Sequence, residues 1–204
     1  MGTFTDPRDG KTYKTVTIGN QTWMAENLNY EASGSKRYGE GGFVTEPIVQ
    51  IGVPPIRKPI SNAEIQANCD KYGRLYDWET ANRACPPGWH LPSEAEWQEL
   101  VNFAGGEKIA GKKLKATNGW NSDNGQSGNG TDEYGFSALP GGGGAGLSPP
   151  VKFVAVGRQG YWWTSTEIRT YSGAKSLVIR HDDASASVNN SGKEDFSSIR
   201  CVKD

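Results

Sequence analysis

The sequence lacks any long run of charge of one sign. Its 22 Lys and Arg residues nearly balance its 23 Asp and Glu residues, the net charge is −1, and no run of Lys or Arg exceeds two residues. Proteins that bind nucleic acids or anionic membranes carry clustered positive charge. We therefore expect no nucleic-acid partner.

Long hydrophobic runs are also missing. Residues 1–20 contain no apolar segment flanked by positive charge, which a signal peptide or a membrane span would need. We expect no direct insertion into a membrane. Any export signal or lipoprotein anchor is expected to be absent from this chain, whether it was removed or never present.

Histidine and cysteine are scarce, with two and three residues, and Cys69, Cys85 and Cys201 lack the CxxC spacing of a zinc site. A Cys/His metal cluster is therefore not expected, and no cofactor is predicted. The simplest interpretation is one disulfide and one free thiol. Three reduced cysteines in a cytosolic protein are the alternative.

Glycine and large aromatic residues are abundant, with 27 Gly, seven Trp and eight Tyr. This composition is typical of loop-rich folds that contain β-structure and aromatic anchors, which are common outside the cell. A chain of 204 residues with 35% hydrophobic content is long enough to bury one core. We expect a single domain over residues 1–204.

Local patterns predict several elements of the first half. Gly19-Asn20 lies between β-forming residues and indicates a hairpin. Turn-forming residues interrupt residues 31–66 and predict an irregular insertion. Spacings of three to four predict a first helix that ends at residues 86–88 and buries one face, formed by Leu75, Trp78, Ala81 and Cys85.

The segment around Ser93 predicts a second helix. Ser93 and Glu96 fit a capping box, and Gly105-Gly106 ends the pattern. A buried stripe is expected at Trp97, Leu100, Val101 and Ala104.

The last fifty residues read as short strands, at 151–156, 161–164, 175–180, 185–189 and 197–202. In the fourth strand, Ala184, Ala186 and Val188 alternate with Ser185, Ser187 and Asn189, which predicts one polar face. Helices followed by antiparallel strands indicate an α+β domain.

Six segments occur in the chain in the following order: "DGKTYKTVTIGNQTWMAENLNY", "CDKYGRLYDWETA", "CPPGWHLPSEAEW", "GTDEYGFSALPGG", "GYWWTSTE" and "SIRCVKD". Together they closely resemble the Fibrobacter succinogenes major paralogous domain, a bacterial surface-protein family. The resemblance spans residues 6–204, apart from 31–66 and the stretch around 143–158.

That family looks like a branch of the C-type lectin-like fold, which formylglycine-generating enzymes share with the variable proteins of diversity-generating retroelements. The resemblance implies two helices packed on small twisted antiparallel sheets with long loops, in a scaffold that displays ligand-binding residues. It further implies a disulfide between Cys85 and Cys201 and a free thiol at Cys69. Such a bond would contribute roughly 4–5 kcal/mol in the chain-entropy model.

Several polar clusters are candidate sites. His90 with Glu94 and Glu96 suggests acid–base or metal chemistry, although a structural histidine beside a helix start is the favoured interpretation. A second cluster contains His181, Asp182 and Asp183. Neighbouring residues of a strand point in opposite directions, so these side chains could bind one metal ion only if they lie in a turn. Asp182 and Asp183 would then be the better ligands. A structural calcium ion, as in related folds, could use Asp132 and Asn129, with Asp123, Asn124 and Glu133 nearby. Asx-turns without metal are the alternative.

Enzymatic activity is not expected. A formylglycine-generating activity would need a reactive cysteine pair in the C-terminal half, where Cys201 is the only cysteine. The chain has no G-x-S-x-G elbow and none of the Glu-Pro-Asn and Trp-Asn-Asp signatures of calcium-dependent animal lectins.

The remaining candidate is an exposed C-terminal face whose varied chemistry suits ligand binding. A solvated face without a partner is the alternative. We expect an extracellular or cell-surface domain that binds a protein, as a variable adhesin or receptor does; a carbohydrate-binding surface lipoprotein domain and a structural module of a larger surface protein are the other hypotheses. The expected ligand-binding residues are Ile168, Arg169, Tyr171, Ser172, Arg180, His181, Asp182, Ser185, Ser187, Asn189, Asn190, Ser191 and Lys193.

Overall fold

The computed structural model describes residues 1–45, 57–147, 149–170 and 172–204. Within these residues the chain is an α+β protein with four helices and mostly antiparallel sheets. The predicted fold class is thereby confirmed at this level, although the prediction of two helices is wrong. No described helix is long and apolar enough to cross a lipid bilayer.

The first sheet joins both ends of the chain. It contains β1 (Gly2–Thr5), β2 (Thr12–Ile18), β3 (Gln21–Met24), β6 (Trp89–His90) and β12 (Val202–Lys203), in the order β1-β2-β3-β12-β6. The predicted hairpin is confirmed: β2 and β3 pair with Ile18 opposite Gln21, and Gly19 adopts φ +60°. Glycine accepts this left-handed conformation without strain.

The described residues contain four helices, α1 (Asn62–Tyr72), α2 (Trp78–Ala81), α3 (Glu94–Phe103) and α4 (Glu107–Leu114). The prediction for α3 is confirmed, including the capping box of Ser93 and Glu96 and the burial of Trp97, Leu100, Val101 and Ala104. The helix predicted from Leu75 to Cys85 is wrong, because Leu75 and Tyr76 form β-bridges with Lys36 and Ser197. Only the single turn of α2 remains.

The second sheet contains the three strands β9 (Gln159–Ile168), β10 (Gly173–Arg180) and β11 (Ala186–Gly192), with β10 in the centre and both pairings antiparallel. These strands confirm three of the five predicted C-terminal strands, with longer bounds, and the predicted strand at 151–156 is present in a shorter form, as Lys152–Val154. The predicted strand at 197–202 is shorter in the structure, since Ser197 and Ser198 form isolated bridges and regular pairing resumes only at β12.

A third sheet joins the described part of the predicted insertion to residues 143–154. It has the order β5-β4-β8-β7, with β4 (Phe43–Thr45), β5 (Arg57–Lys58), β7 (Gly143–Ala145) and β8 (Lys152–Val154). The β4–β8 pairing is parallel. Of residues 31–66, the described part therefore contributes two short strands and the start of α1.

The expected disulfide is present between Cys85 and Cys201, and Cys69 is a buried free cysteine. The bond links residues 116 positions apart and ties the loop after α2 to the segment before β12. Cys201 is fully buried beside Met24, Leu28 and Ile199 in one of the hydrophobic clusters. The disulfide therefore lies inside the core, where it joins the two halves of the domain.

Candidate binding face

The β9–β11 sheet has one buried side and one side that is partly open. Its core side carries Trp162, Leu177, Ile179, Ala186 and Val188, which pack in one hydrophobic cluster with residues of α3 and α4. Because adjacent strand residues point to opposite sides, the alternate positions form the other side. We call the side that carries Tyr161, Val178, Ser187, Asn189 and Ser191 the outer face.

The outer face is open over β11, where Asn189 is exposed and Ser187 and Ser191 are half-buried, and it is covered over much of β9 and β10, where Trp163, Ala174 and Ser176 are fully buried. Trp163 has the same parity as Tyr161 but is fully buried, and its indole Nε1 donates to the backbone carbonyl of Tyr76 at 2.7 Å. On β11, Asn189 is exposed, and neither Asn189 nor Ser187 makes a side-chain hydrogen bond within the described part of the chain. Ser191 pairs with Ser176 through their hydroxyls at 2.8 Å. Polar groups of the face are thus available to a ligand.

Asn190 has the opposite parity. It lies opposite Lys175 in the sheet, and Lys175 Nζ is 3.9 Å from Oε1 of Glu94 at the start of α3. Asn190 is nevertheless exposed. It therefore belongs to the edge near α3 and not to the outer face.

A turn at residues 180–185 closes one end of the sheet. Arg180 Nε lies 3.2 Å from Asp182 Oδ1, and this pairing lowers the pKa of Asp182 and raises that of Arg180. Asp183 accepts hydrogen bonds from the backbone N–H (2.9 Å) and the hydroxyl (2.7 Å) of Ser185. These residues form a small hydrogen-bonded turn in which each carboxylate already has an internal partner.

Lys115 holds this turn from the inside. Its Nζ donates to the backbone carbonyls of Arg180 (3.0 Å) and Asp183 (2.9 Å), and the residue is only 2% exposed. Burial lowers the pKa of Lys115 to about 8. Sequence reasoning missed this residue, because a lone lysine after a helix carries no signal of which carbonyls it will meet.

The other end of the sheet carries Ile168, Arg169 and Ser172 around the β9–β10 connection, where Arg169 and Ser172 are exposed. Tyr171 lies outside the described residues. Lys193 is held against the protein, with Nζ 4.4 Å from the Trp78 ring centroid and in contact with Glu167. The ammonium group of Lys193 therefore already has partners within the protein, although the residue lies at the surface.

The expected ligand-binding residues do not form one patch. Gly173 and Arg180 are the two ends of the eight-residue strand β10 and lie about 23 Å apart, given a rise of ~3.3 Å per residue. On the outer face, Ser187 lies next to the turn of Arg180, His181, Asp182 and Ser185, Asn189 lies in the middle of β11, and Ser191, opposite Ala174, lies toward the other end. Ile168, Arg169, Ser172 and Lys193 lie at the far end.

A groove of about 160 Å³ borders the outer face. Its lining comprises Gly143, Gly144, Ala145, Val154, Tyr161, Ser191, Asp195, Phe196 and Ser197. The sequence did not predict most of these residues as part of a site, because β7 and the segment after β11 are distant in sequence from Tyr161. The glycine run at 141–144 was a usable signal, since closely packed backbones often require glycine.

The residues expected to hold metal ions are engaged elsewhere. Asp132 accepts hydrogen bonds from the backbone N–H (2.7 Å) and hydroxyl (2.6 Å) of Ser137, and Asn129 Oδ1 accepts from the backbone N–H of Trp120 at 3.0 Å. Among the described residues, no group of three His, Cys, Asp or Glu side chains is arranged to hold a metal ion. The calcium and His181–Asp183 hypotheses therefore gain no support from this geometry.

His90 is a hydrogen-bonded link between α3 and the chain beyond β12. Its Nε2 lies 2.7 Å from Glu96 Oε1 and its Nδ1 2.6 Å from Asp204 Oδ1. Burial would lower the pKa of His90, but the hydrogen bonds to Asp204 and Glu96 outweigh it and raise the pKa. An imidazolium donates both of these bonds, which agrees with the structural interpretation of this residue.

A larger cleft of about 440 Å³ lies elsewhere, beside Lys14, Asn27, Lys71 and Asn118. It shares no lining residue with the groove. Its buried amide, Asn27, already uses both polar side-chain atoms within the protein. Size alone therefore does not make this cleft the better candidate.

Comparison with known proteins identifies the family of the chain. The model of the Fibrobacter succinogenes major domain family matches residues 16–203. The chain belongs to this family, as the six sequence segments indicated. Among curated proteins and among solved structures, no significant match to this chain is found.

Proposed function

We propose that this chain is a non-enzymatic, cell-surface domain that binds a protein ligand through the outer face and the adjoining 180–185 turn. The observation that carries the proposal is the state of Ser187 and Asn189. Their side chains make no hydrogen bond within the described residues, although the same strand buries Ala186 in the core on its other side. A strand holds the side chains of a binding site more precisely than a loop does.

We further propose a C-type lectin-like arrangement for the fold. Two features support it: the first sheet pairs β3 with β12 and so joins the two ends of the chain, and the Cys85–Cys201 disulfide ties the loop after α2 to the segment just before the last strand. In such an arrangement the second sheet is a display platform. The outer face would then vary without disturbing the core.

Diversification by a retroelement is a proposal about how this face originates. Its support is that Ser187, Asn189 and the 180–185 turn lie outside the hydrophobic clusters, so varied side chains are compatible with folding. The test is the nucleotide sequence around the gene. A nearby, near-identical repeat that differs at adenines over about codons 160–200 would support this origin, and its absence would contradict it.

The binding proposal is tested by screening the domain against arrays of surface proteins and glycans, followed by affinity measurements with variants. Asn189→Arg places a bulky cation on the outer face and is expected to weaken binding by about tenfold or more. Asn118→Arg, the same substitution at an exposed position in the larger cleft, is the control and is expected to leave the affinity unchanged. The opposite pattern would contradict the assignment to the outer face.

The array also separates the two ligand classes. Binding to glycans alone would overturn the protein-ligand proposal in favour of a carbohydrate-binding surface domain. Binding to neither class, with the domain folded, would favour a structural module. Where only a glycan binds, the Asn189→Arg and Asn118→Arg pair still reports which surface makes the contact.

A further inference from the structure

The groove beside the outer face has aromatic walls and a backbone rim. Tyr161 and Phe196 contribute the rings. Gly144 exchanges two backbone hydrogen bonds with Phe196, at 2.9 and 2.7 Å. A Cβ at Gly143 would lie 3.2 Å from the Tyr161 ring, and one at Gly144 would lie 3.3 Å from Phe196 Cβ. Glycine at these two positions therefore keeps the groove from closing onto its own walls.

Asp195 places a carboxylate in this groove. Its Oδ2 accepts a hydrogen bond from the backbone N–H of Gly192 at 3.2 Å, and burial raises its pKa. No Lys, Arg or His side chain pairs with Asp195 among the residues that the structure describes. A carboxylate that is partly removed from water favours an opposite charge nearby, and the protein itself does not supply one.

The neighbouring cations of the domain are directed elsewhere. Lys193, two residues away, contacts Glu167 and the Trp78 ring. Arg180, which acts electrostatically on Tyr161, is paired with Asp182 at 3.2 Å. The adjacent Glu194 adds a second negative charge. None of these described basic side chains therefore pairs with the Asp195 carboxylate.

The aromatic walls suit a cation as well. An ammonium or guanidinium group near an aromatic face is attracted by the ring quadrupole. Lys36 Nζ already lies 5.8 Å from the Phe196 ring centroid, so this ring interacts with a cation of the domain. A negatively charged ligand group would meet Asp195 and Glu194, and a neutral sugar would leave the half-buried Asp195 carboxylate without a counter-charge.

We propose that the groove formed by Tyr161, Asp195, Phe196 and the Gly143–Ala145 strand receives an arginine or lysine side chain of the protein ligand. The proposal rests on the proposed function, because it names one contact that a ligand on the outer face would make. The basic group would lie between the aromatic walls and pair with Asp195. Ser191, which lines both the groove and the outer face, would connect this contact to the rest of the interface.

The test uses small probes and the intact domain. N-acetyl-arginine amide and N-acetyl-lysine amide are titrated into ¹⁵N-labelled protein, with N-acetyl-citrulline amide as the uncharged isostere of the arginine probe. We expect saturable shifts of the Gly143, Gly144 and Ser191 amide signals with the basic probes, at millimolar dissociation constants. Citrulline is expected to bind at least about tenfold more weakly.

Variants then identify the contact. Asp195→Asn keeps the acceptor for Gly192 and removes the charge, and it is expected to weaken both basic probes by about tenfold or more. Asp70→Asn makes the same charge change in the larger cleft and is expected to have no effect. Tyr161→Leu removes one aromatic wall and serves as a second test where Asp195→Asn does not fold; Tyr161→Phe is its control.

Three outcomes would overturn the proposal: equal binding of the citrulline probe, shifts outside the groove only, or folded Asp195→Asn protein that binds like the wild type. These outcomes leave the proposed function intact where Asn189→Arg still abolishes binding to the ligand found on the arrays. Conversely, probe binding in the groove stands by itself where the outer face proves to bind nothing.

Discussion

Two polar regions of the molecule, one buried and one exposed, differ in how their side chains are satisfied. The buried region, which we call the junction, centres on Asn27 and Arg200. Asn27 Oδ1 accepts from Trp162 Nε1 (2.8 Å) and Arg200 Nε (3.0 Å), and its Nδ2 donates to the carbonyl of Tyr72 at 2.8 Å and the hydroxyl of Ser198 at 3.3 Å. On the outer face, by contrast, Asn189 has no internal partner within the described chain.

The comparison indicates that the buried junction, and not the outer face, holds the segments of this domain in one arrangement. The guanidinium of Arg200 is fully buried and donates to Asn27, to the carbonyl of Phe136 and to that of Ser137 (2.7 Å). A buried polar network of this kind specifies one arrangement of its segments, because a missing partner leaves a desolvated group. Trp162 therefore fixes the β9 strand from inside the core, and Asn189 on the outer face takes no part in this network.

The largest expected effect follows from removing the centre of the junction. Asn27→Ala removes the acceptor of Arg200 Nε and of the Trp162 indole in the core, and the carbonyls of Phe136 and Ser137 remain the only acceptors for the guanidinium among the described contacts. We expect the free energy of unfolding to fall by about 3–5 kcal/mol, the range for breaking a buried charged contact. Urea titrations of wild-type and variant protein measure the change. A loss below about 1 kcal/mol would mean that water or neighbouring groups replace Asn27, and the contrast with the outer face would fail.

The sequence predicts those parts of the fold that depend on local signals. The β2–β3 hairpin follows from Gly19-Asn20, and α3 follows from its capping box and apolar stripe. The sequence analysis does not predict helix α1, although Ser61 and Glu64 form the same kind of capping box. Only Ile65, Cys69 and Tyr72 of this helix are buried, so its apolar pattern is weak, and the turn-forming residues before it predict irregular structure.

Non-local contacts explain the rest of what sequence reasoning missed. The spacing from Leu75 to Cys85 is compatible with a helix, but Tyr76 instead pairs with Ser197, which lies far along the chain. The groove required Tyr161, Asp195 and Gly143 to meet, and no spacing in the sequence encodes this meeting. The polar side of β11 was predictable, because polar and apolar residues alternate within the strand itself. The role of Lys115 was not, because its carbonyl partners come from another segment of the chain.

An intermediate effect is expected at Lys115, which connects the core to the exposed turn. Lys115→Met keeps the length of the side chain and removes the donor to Arg180 and Asp183. We expect a loss of about 1–2 kcal/mol at pH 7, moderated because the ammonium no longer has to be buried. Faster amide hydrogen exchange of His181 and Ser185 would locate the change in the turn.

The pH dependence checks the same assignment. The pKa of Lys115 is about 8 in the folded protein and ordinary, near 10.4, in the unfolded chain, so the unfolded state binds more protons between these values. Stability of the wild type therefore rises with pH in this window relative to Lys115→Met, by about 1–2 kcal/mol from pH 8 to 9.5. If the free energies of unfolding of the two proteins changed equally with pH, Lys115 would not be buried as a charged group.

The smallest expected effect lies on the outer face, and it completes the comparison with the junction. Asn189→Ala is the same chemical change as Asn27→Ala, but Asn189 is exposed and has no partner within the described residues. We expect Asn189→Ala and Ser187→Ala to change the free energy of unfolding by less than about 0.5 kcal/mol. Thermal and urea unfolding measure this, with Asn27→Ala as the reference. A loss above about 1 kcal/mol at either position would reveal a structural role for the face, which could then not vary freely in a ligand-binding domain.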